Sequence, residues 1–373
     1  MMIQGSYKRV GNRTGHLTKF FPLMLIIATT LLFGCMDDDV LPVSPVDLFG
    51  SRGVFIINEG NYLYGNSSLS YYDIESGEVV NDIFSLANGV PLGDVAYSMT
   101  LHNGTGYIVV NNSGCIHVVD ANTLLYEATI ENLPSPRHML FVDNDMALVS
   151  DLYARAISIV NTSTYKVEGT IKTGDSSMPY YRHSSEHLIR VGNRVYTNSW
   201  SYDNQVLVID LGQMQVVDSI RVGIQPLAMV KDKNENLWVI NDGGFAGGPM
   251  GVEVPSLMRI NTTGNAVDLC LNFSAVTDAV GQLATNAAGD SLYFICNHLY
   301  AMSIYDTGLP AEPLIARNGR TFRALGVDSQ TGDIYISDAT DFMSEGKVYR
   351  YTSKGLPIDS IGVGIIPGNF CFN

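Results

Sequence analysis

Beyond residue 50 the apolar residues come in short runs, some alternating with polar residues and some continuous, each closed by Asn, Asp, Gly or a hydroxyl residue. Runs of that length are strands, and no stretch keeps the 3.6-residue repeat of an amphipathic helix of useful length. One unit recurs: an apolar strand, a tight turn, a second strand ending in polar residues, a loop, a third strand ending in Asp or a hydroxyl residue, and a fourth strand. Residues 137–142, 146–151, 156–161 and 166–172 make one copy, with Asp143, Asn144 and Asp145 in its first turn. Residues 188–191, 194–198, 205–210 and 216–222 make the next, turning at Gly192 and Asn193. Second strands begin at Val54, Gly106, Met146, Arg194, Leu237, Leu292 and Ile334. Their spacing of about 40–55 residues is that of a four-stranded propeller blade with loop insertions, and seven starts predict an all-β, seven-bladed β-propeller.

The two ends of this pattern predict how the ring closes. No apolar strand precedes Val54, so blade one opens at its second strand, whereas residues 366–372 form an orphan after the last strand of blade seven. Docked innermost in blade one, that C-terminal strand completes the blade and leaves no unpaired edge inside the ring.

The first 50 residues read differently. Lys8, Arg9, Arg13 and Lys19 precede an apolar run from Phe20 to Phe33, too short for a membrane span of roughly 20 apolar residues and right for a secretory signal. Leu32, Phe33, Gly34 and Cys35 resemble a bacterial lipobox, and Met36, Asp37, Asp38 and Asp39 resemble the surface-export signal of Bacteroidetes lipoproteins. The expected organisation is a signal peptide over 1–34, a lipidated Cys35 with a Pro-bearing tether over 35–50, and the propeller over 51–373. Export permits disulfides, but Cys115, Cys270, Cys296 and Cys371 allow three full pairings, and their places in or beside apolar runs suit buried free thiols equally well.

Composition narrows the function. Hydrophobic residues make up 46% and charged residues 16%, which excludes a disordered chain. A formal charge of -15 argues against a nucleic-acid partner, which needs a basic footprint. The loops from second to third strands and those between blades converge on one face around the channel, the expected pocket. The former supply Asn58, Glu59, Tyr62 and Tyr64 in blade one, and Asp151, Tyr153 and Arg155 in blade three. Blade four adds Trp200 and Tyr202, blade five Asp242 and Phe245, blade six His298 and blade seven Phe342. The inter-blade segments supply Asp94, Tyr97, Arg137 with His138, Tyr180, Tyr181, Arg182, His183, Gln225, Arg320 with Arg323, and Asn369. Rings that stack, with amides and Arg around them, suit a large, flat, polar-edged molecule. The competing reading is local: Asn and Asp after a strand bond the backbone of their own turns.

No nucleophile elbow, HExxH, Walker A or EF-hand loop is present, and no Cys/His set has metal spacing, so a binding protein rather than an enzyme is expected. His183 and His298, placed in pocket-face loops, are the histidines with a conceivable ligand or base role.

Residues 53–60 followed by 66–73, with strand endings such as Val118-Val119-Asp120 and Val208-Ile209-Asp210, resemble the YncE-like surface propellers of Bacteroidetes. Within that group the chain is similar to the BtuG lipoproteins. The resemblance implies a surface-exposed, outer-membrane lipoprotein with no catalytic cofactor that holds cobalamin, a corrinoid, over the channel. It further implies delivery to a TonB-dependent transporter, with His183 or His298 near cobalt as an additional possibility. A propeller binding a glycan or a protein partner, and a metal-dependent propeller lyase, stand as alternatives.

Overall fold

In the computed structural model, residues 43–174, 177 and 182–373 are described. They form seven antiparallel sheets. The second strand of each blade is buried along nearly its whole length because both of its faces are covered by neighbouring blades; Gly53–Asn58 and Leu237–Asn241 are buried throughout. Outer strands alternate, as Lys166–Lys172 does, because one face meets water. The core is accordingly not one mass but seven layers, one at each junction between adjacent blades. Phe55, Leu69, Ile108 and Val110 lie between blades one and two, for example, and Val54, Tyr72, Tyr335 and Val348 between seven and one.

The predicted closure is present. Pro367–Phe372 pairs antiparallel with Gly53–Asn58, with Val54 opposite Phe372, Phe55 opposite Cys371 and Ile57 opposite Asn369. Phe370 and Phe372 also pack on Tyr335 of blade seven, so the last strand cements two junctions.

The recurrent Asp or Asn after the third strand is a turn device. The side-chain oxygen of Asp120 accepts from the amides of Asn122 and Thr123, and Asp73, Asn161, Asp210 and Asn261 do the same in their blades. Asn after the second strand is also structural. Asn198 Nδ2 donates to the Pro226 carbonyl, Asn111 Nδ2 to that of Pro136, and Asn58 Nδ2 to Ser68 and Ser70.

Blade six departs from the sequence reading. It has three strands, and its fourth is replaced by an irregular segment carrying Pro310 and Pro313 that pairs with the edge at the Leu299–Ile315 bridge. Residues 297–300, read as a loop, instead make a tight hairpin. Asn297 takes a left-handed φ of 58°, so Cys296 pairs directly with His298 and the strand His298–Ser303 begins at once. A helix, Ile83–Asn88, links blades one and two and buries Ile83, Phe84 and Ala87, too short to show a helical period in sequence.

Residues 44–48 lie docked: the Ser44 amide donates to the Leu86 carbonyl and the Leu48 amide to that of Asn122, with Leu48 buried. All four described cysteines are free; Cys115 and Cys296 are buried, Cys371 partly so, and Cys270 is exposed rather than buried. Among the described residues no helix is long and apolar enough to cross a membrane, and the lipobox with Cys35 lies outside them.

Candidate ligand pocket

The pocket is built by one irregularity repeated around the ring. At the pocket end of the innermost strand, the ladder to the second strand slips: between Ala96 and Ser98, Pro136 and Met139, Pro226 and Ala228, Val280 and Leu283, and Phe322 and Leu325. Blade one slips likewise opposite Ile57 and Asn58, at Gly368. A β-bulge re-aims the side chains it contains. Here the bulged positions hold Tyr97, Arg137, His138, Leu227, Gln282, Arg323 and Gly368, and all of them line one cavity at the channel. Blade four has a regular inner strand and contributes Glu186 and His187 just before it, with Trp200 from its loop. Glu59 and Asn369 complete the wall of a space of about 530 Å³ that includes its open mouth.

The cavity is laced by charge. Arg137 Nε donates to both oxygens of Glu186 at 3.1 and 3.0 Å, and its Nη2 donates to Tyr97 Oη at 2.7 Å. Tyr97 Oη in turn donates to Glu186 Oε1 at 2.6 Å, and the guanidinium lies 3.6 Å from the centre of the Tyr97 ring. Glu186 is nearly inaccessible, with 3% of its side chain exposed. Burial alone would raise its carboxyl, but the Arg137 charge overrides this and holds it far below the carboxylate range. Burial raises the Tyr97 phenol well above its ordinary value.

Beside this triad the His138 and His187 rings stack 4.5 Å apart. Burial, helped by His138, pushes His187 down to about 3, so it is neutral. His138 Nε2 is 3.6 Å from Glu186 Oε1, too long for a hydrogen bond. Across the channel Arg323 donates from Nε and Nη2 to Glu59 Oε1 at 3.1 and 2.7 Å, and that carboxylate raises the guanidinium. Among the described residues Trp200 Nε1 is buried without a partner at hydrogen-bonding geometry, and near it stands the Asp242 carboxyl, which burial raises.

Of the residues singled out from sequence, Glu59, Tyr97, Arg137, His138, Trp200, Arg323 and Asn369 meet in this cavity. Tyr62, Tyr64, Tyr153, Phe245 and Phe342 stand exposed on the surrounding loops, between 45% and 71% accessible. Tyr202 packs edge-on to Phe245, and Arg182 reaches Met250 in the same blade-five loop. Asp94 accepts from the Leu63 amide and from Asn112, Asp151 from the amides of Ser135, Tyr153 and Ala154, and Asp242 from that of Gly244, all as loop staples. Arg155 lies partly buried on the blade-three loop, and Arg320 packs 4.1 Å from the Tyr349 ring. Tyr180 and Tyr181 lie outside the described residues.

The two histidines favoured from sequence are elsewhere. His183 Nδ1 bonds Asp203 at 2.7 Å, and His298 sits in a strand on the outer flank of blade six, its Nδ1 accepting from the Arg317 amide. The histidines that do line the channel are His138 and His187. Glu186 and Gln282 carried no sequence signal; the available clue was position, at the junction where each blade's first strand begins. Among the described residues no three His, Cys, Asp or Glu side chains converge as metal ligands. The cavity offers hydrogen bonds and rings rather than an activated nucleophile.

Several solved structures share the fold. A quinonprotein alcohol dehydrogenase-like protein from Bacteroides thetaiotaomicron superposes with a TM-score of 0.66 at 17% identity, over 86% of this chain and 78% of that one. A functionally unknown protein from Desulfotomaculum acetoxidans gives 0.61 at 11%, over 86% and 99%. A dihydro-heme d1 dehydrogenase gives 0.57 at 11%, over 89% and 77%. Identities this low carry the architecture alone. No curated sequence matches the chain. Residues 52–364, nearly the whole of this seven-bladed ring, match the domain of unknown function DUF5074, and the chain belongs to that family.

Proposed function

We propose that the protein is a surface binding module that captures a large, flat, polar-edged molecule at the channel mouth. The ligand we assign is a corrinoid, cobalamin, which a lipid-anchored propeller passes to a TonB-dependent outer-membrane transporter. One observation carries the reading: Tyr62, Tyr64, Tyr153, Phe245 and Phe342 are exposed around a buried polar cluster. Turns have no use for aromatic rings in water, and a ring of them over a polar well matches a macrocycle with an apolar face and amide edges. The resemblance to YncE-like and BtuG lipoproteins supports the same ligand class. A tether at Cys35 raises the local concentration of captured ligand beside a transporter without chemistry.

Titration of the purified chain with cyanocobalamin tests this. Binding is expected below micromolar, weakened roughly 30-fold or more by Trp200→Ala or Phe245→Ala. Absence of a complex at micromolar concentrations removes the corrinoid. Binding of a glycan instead moves the protein to the class of sugar-capture modules.

A further inference from the structure

We infer that the channel beneath the mouth is a subsite for a neutral hydrogen-bonding group of the ligand, a carboxamide or a hydroxyl, and that it rejects carboxylates and phosphates. The inference rests on the mouth being a ligand site and adds what the ligand presents to the channel.

Each guanidinium of the wall already faces a carboxylate. Glu59 pairs with Arg323, Glu186 stands between Arg137 and His138, and burial keeps His187 neutral. An entering anion therefore leaves water for a place where each guanidinium already faces a carboxylate, and loses hydration with little compensation. A neutral polar group does not, because the ion pairs leave hydrogen-bonding capacity unused. Arg323 reaches Glu59 through Oε1 alone, so among the described residues Glu59 Oε2 accepts nothing and Arg323 Nη1 donates nothing. Arg137 uses Nε and Nη2, leaving Nη1. The Gln282 amide lines the cavity with no bond to the described residues. Donors and an acceptor thus stand on opposite arcs of one wall, as a carboxamide requires.

The chain has two tryptophans, Trp200 in the cavity wall and Trp238 buried in blade five with its Nε1 bonded to Asp232. Indole N–H resonances of the ¹⁵N-labelled full chain therefore read the cavity and a control separately. Acetamide is expected to shift Trp200 saturably, leaving Trp238 in place, and to bind roughly 10- to 100-fold more tightly than acetate. In Glu59→Gln the released Arg323 charge reverses the preference, while an unmoved Trp238 resonance certifies the fold. Acetate binding as tightly as acetamide, a preference unchanged in Glu59→Gln, or no saturable shift with either probe overturns the inference. Loss of cyanocobalamin binding with the acetamide preference intact overturns only the corrinoid assignment; cyanocobalamin binding without the preference overturns only the neutral subsite.

Discussion

At the scale of single residues, the cavity is governed by partners that the chain brings from far apart. Glu186 is held by Arg137, 49 positions away, and Glu59 by Arg323, 264 positions away. Removing one member of a buried pair strands the other. Glu186→Gln leaves Arg137 without its counter-charge and is expected to cost about 3–5 kcal/mol, read as a shift in the urea midpoint at constant slope. A loss within that of an ordinary surface substitution would mean that water reaches the pair. Tyr97, Arg137 and Trp200 could be singled out from sequence because aromatic and cationic residues stand out in loops made mostly of turn formers. Glu186 could not: a lone Glu among Ser184, Ser185 and His187 looks solvated until the fold sets it against Arg137.

At the scale of elements, a strand of period two explains the blade but not the pocket, because the pocket lies where the period breaks. Each slip adds residues to the inner strand and turns toward the channel a side chain that regular pairing would direct into a neighbouring blade. Gly368 shows how tightly this is built: a Cβ there would stand 2.1 Å from Glu59 Oε1, with no backbone strain to confuse the effect. Gly368→Ala is expected to push Glu59 off Arg323, cost about 1–3 kcal/mol, and weaken the acetamide preference that Glu59→Gln reverses. Unchanged selectivity would show that Glu59 can yield without losing its partner. The same break in pattern explains the blade-six error. Asn297 was visible as a turn residue, but a one-residue reversal and a Pro-interrupted fourth strand depend on tertiary packing at that edge.

For the whole molecule, closure makes the seven inter-blade layers interdependent, so the titration of the channel reaches global stability. His187, ordinarily near 6.5, is pushed down by burial, and Glu186, ordinarily near 4.5, is held lower still by Arg137 against its own burial. Both folded values lie below the unfolded ones, so in acid the unfolded chain binds more protons. Stability is therefore full above about pH 6.5, falls as pH drops toward 3 through His187, and falls further below 4.5 through Glu186. Thermal midpoints measured between neutrality and pH 3 should decline monotonically, and Glu186→Gln should flatten the lowest part of the curve. A midpoint that holds level or rises over that range contradicts the charge arrangement described.

The blade count, the strand order and the closing strand were all written in local pattern. Alternation, turn residues and their spacing act over neighbours in the chain, and an incomplete first blade with a surplus last strand admits one pairing. Seven blades were therefore legible before any coordinates. Which side chains face one another across the channel was decided by the ring itself. Curvature and strand slips bring residues from nine separate segments around one cavity, and no local pattern encodes distances between segments so far apart in sequence.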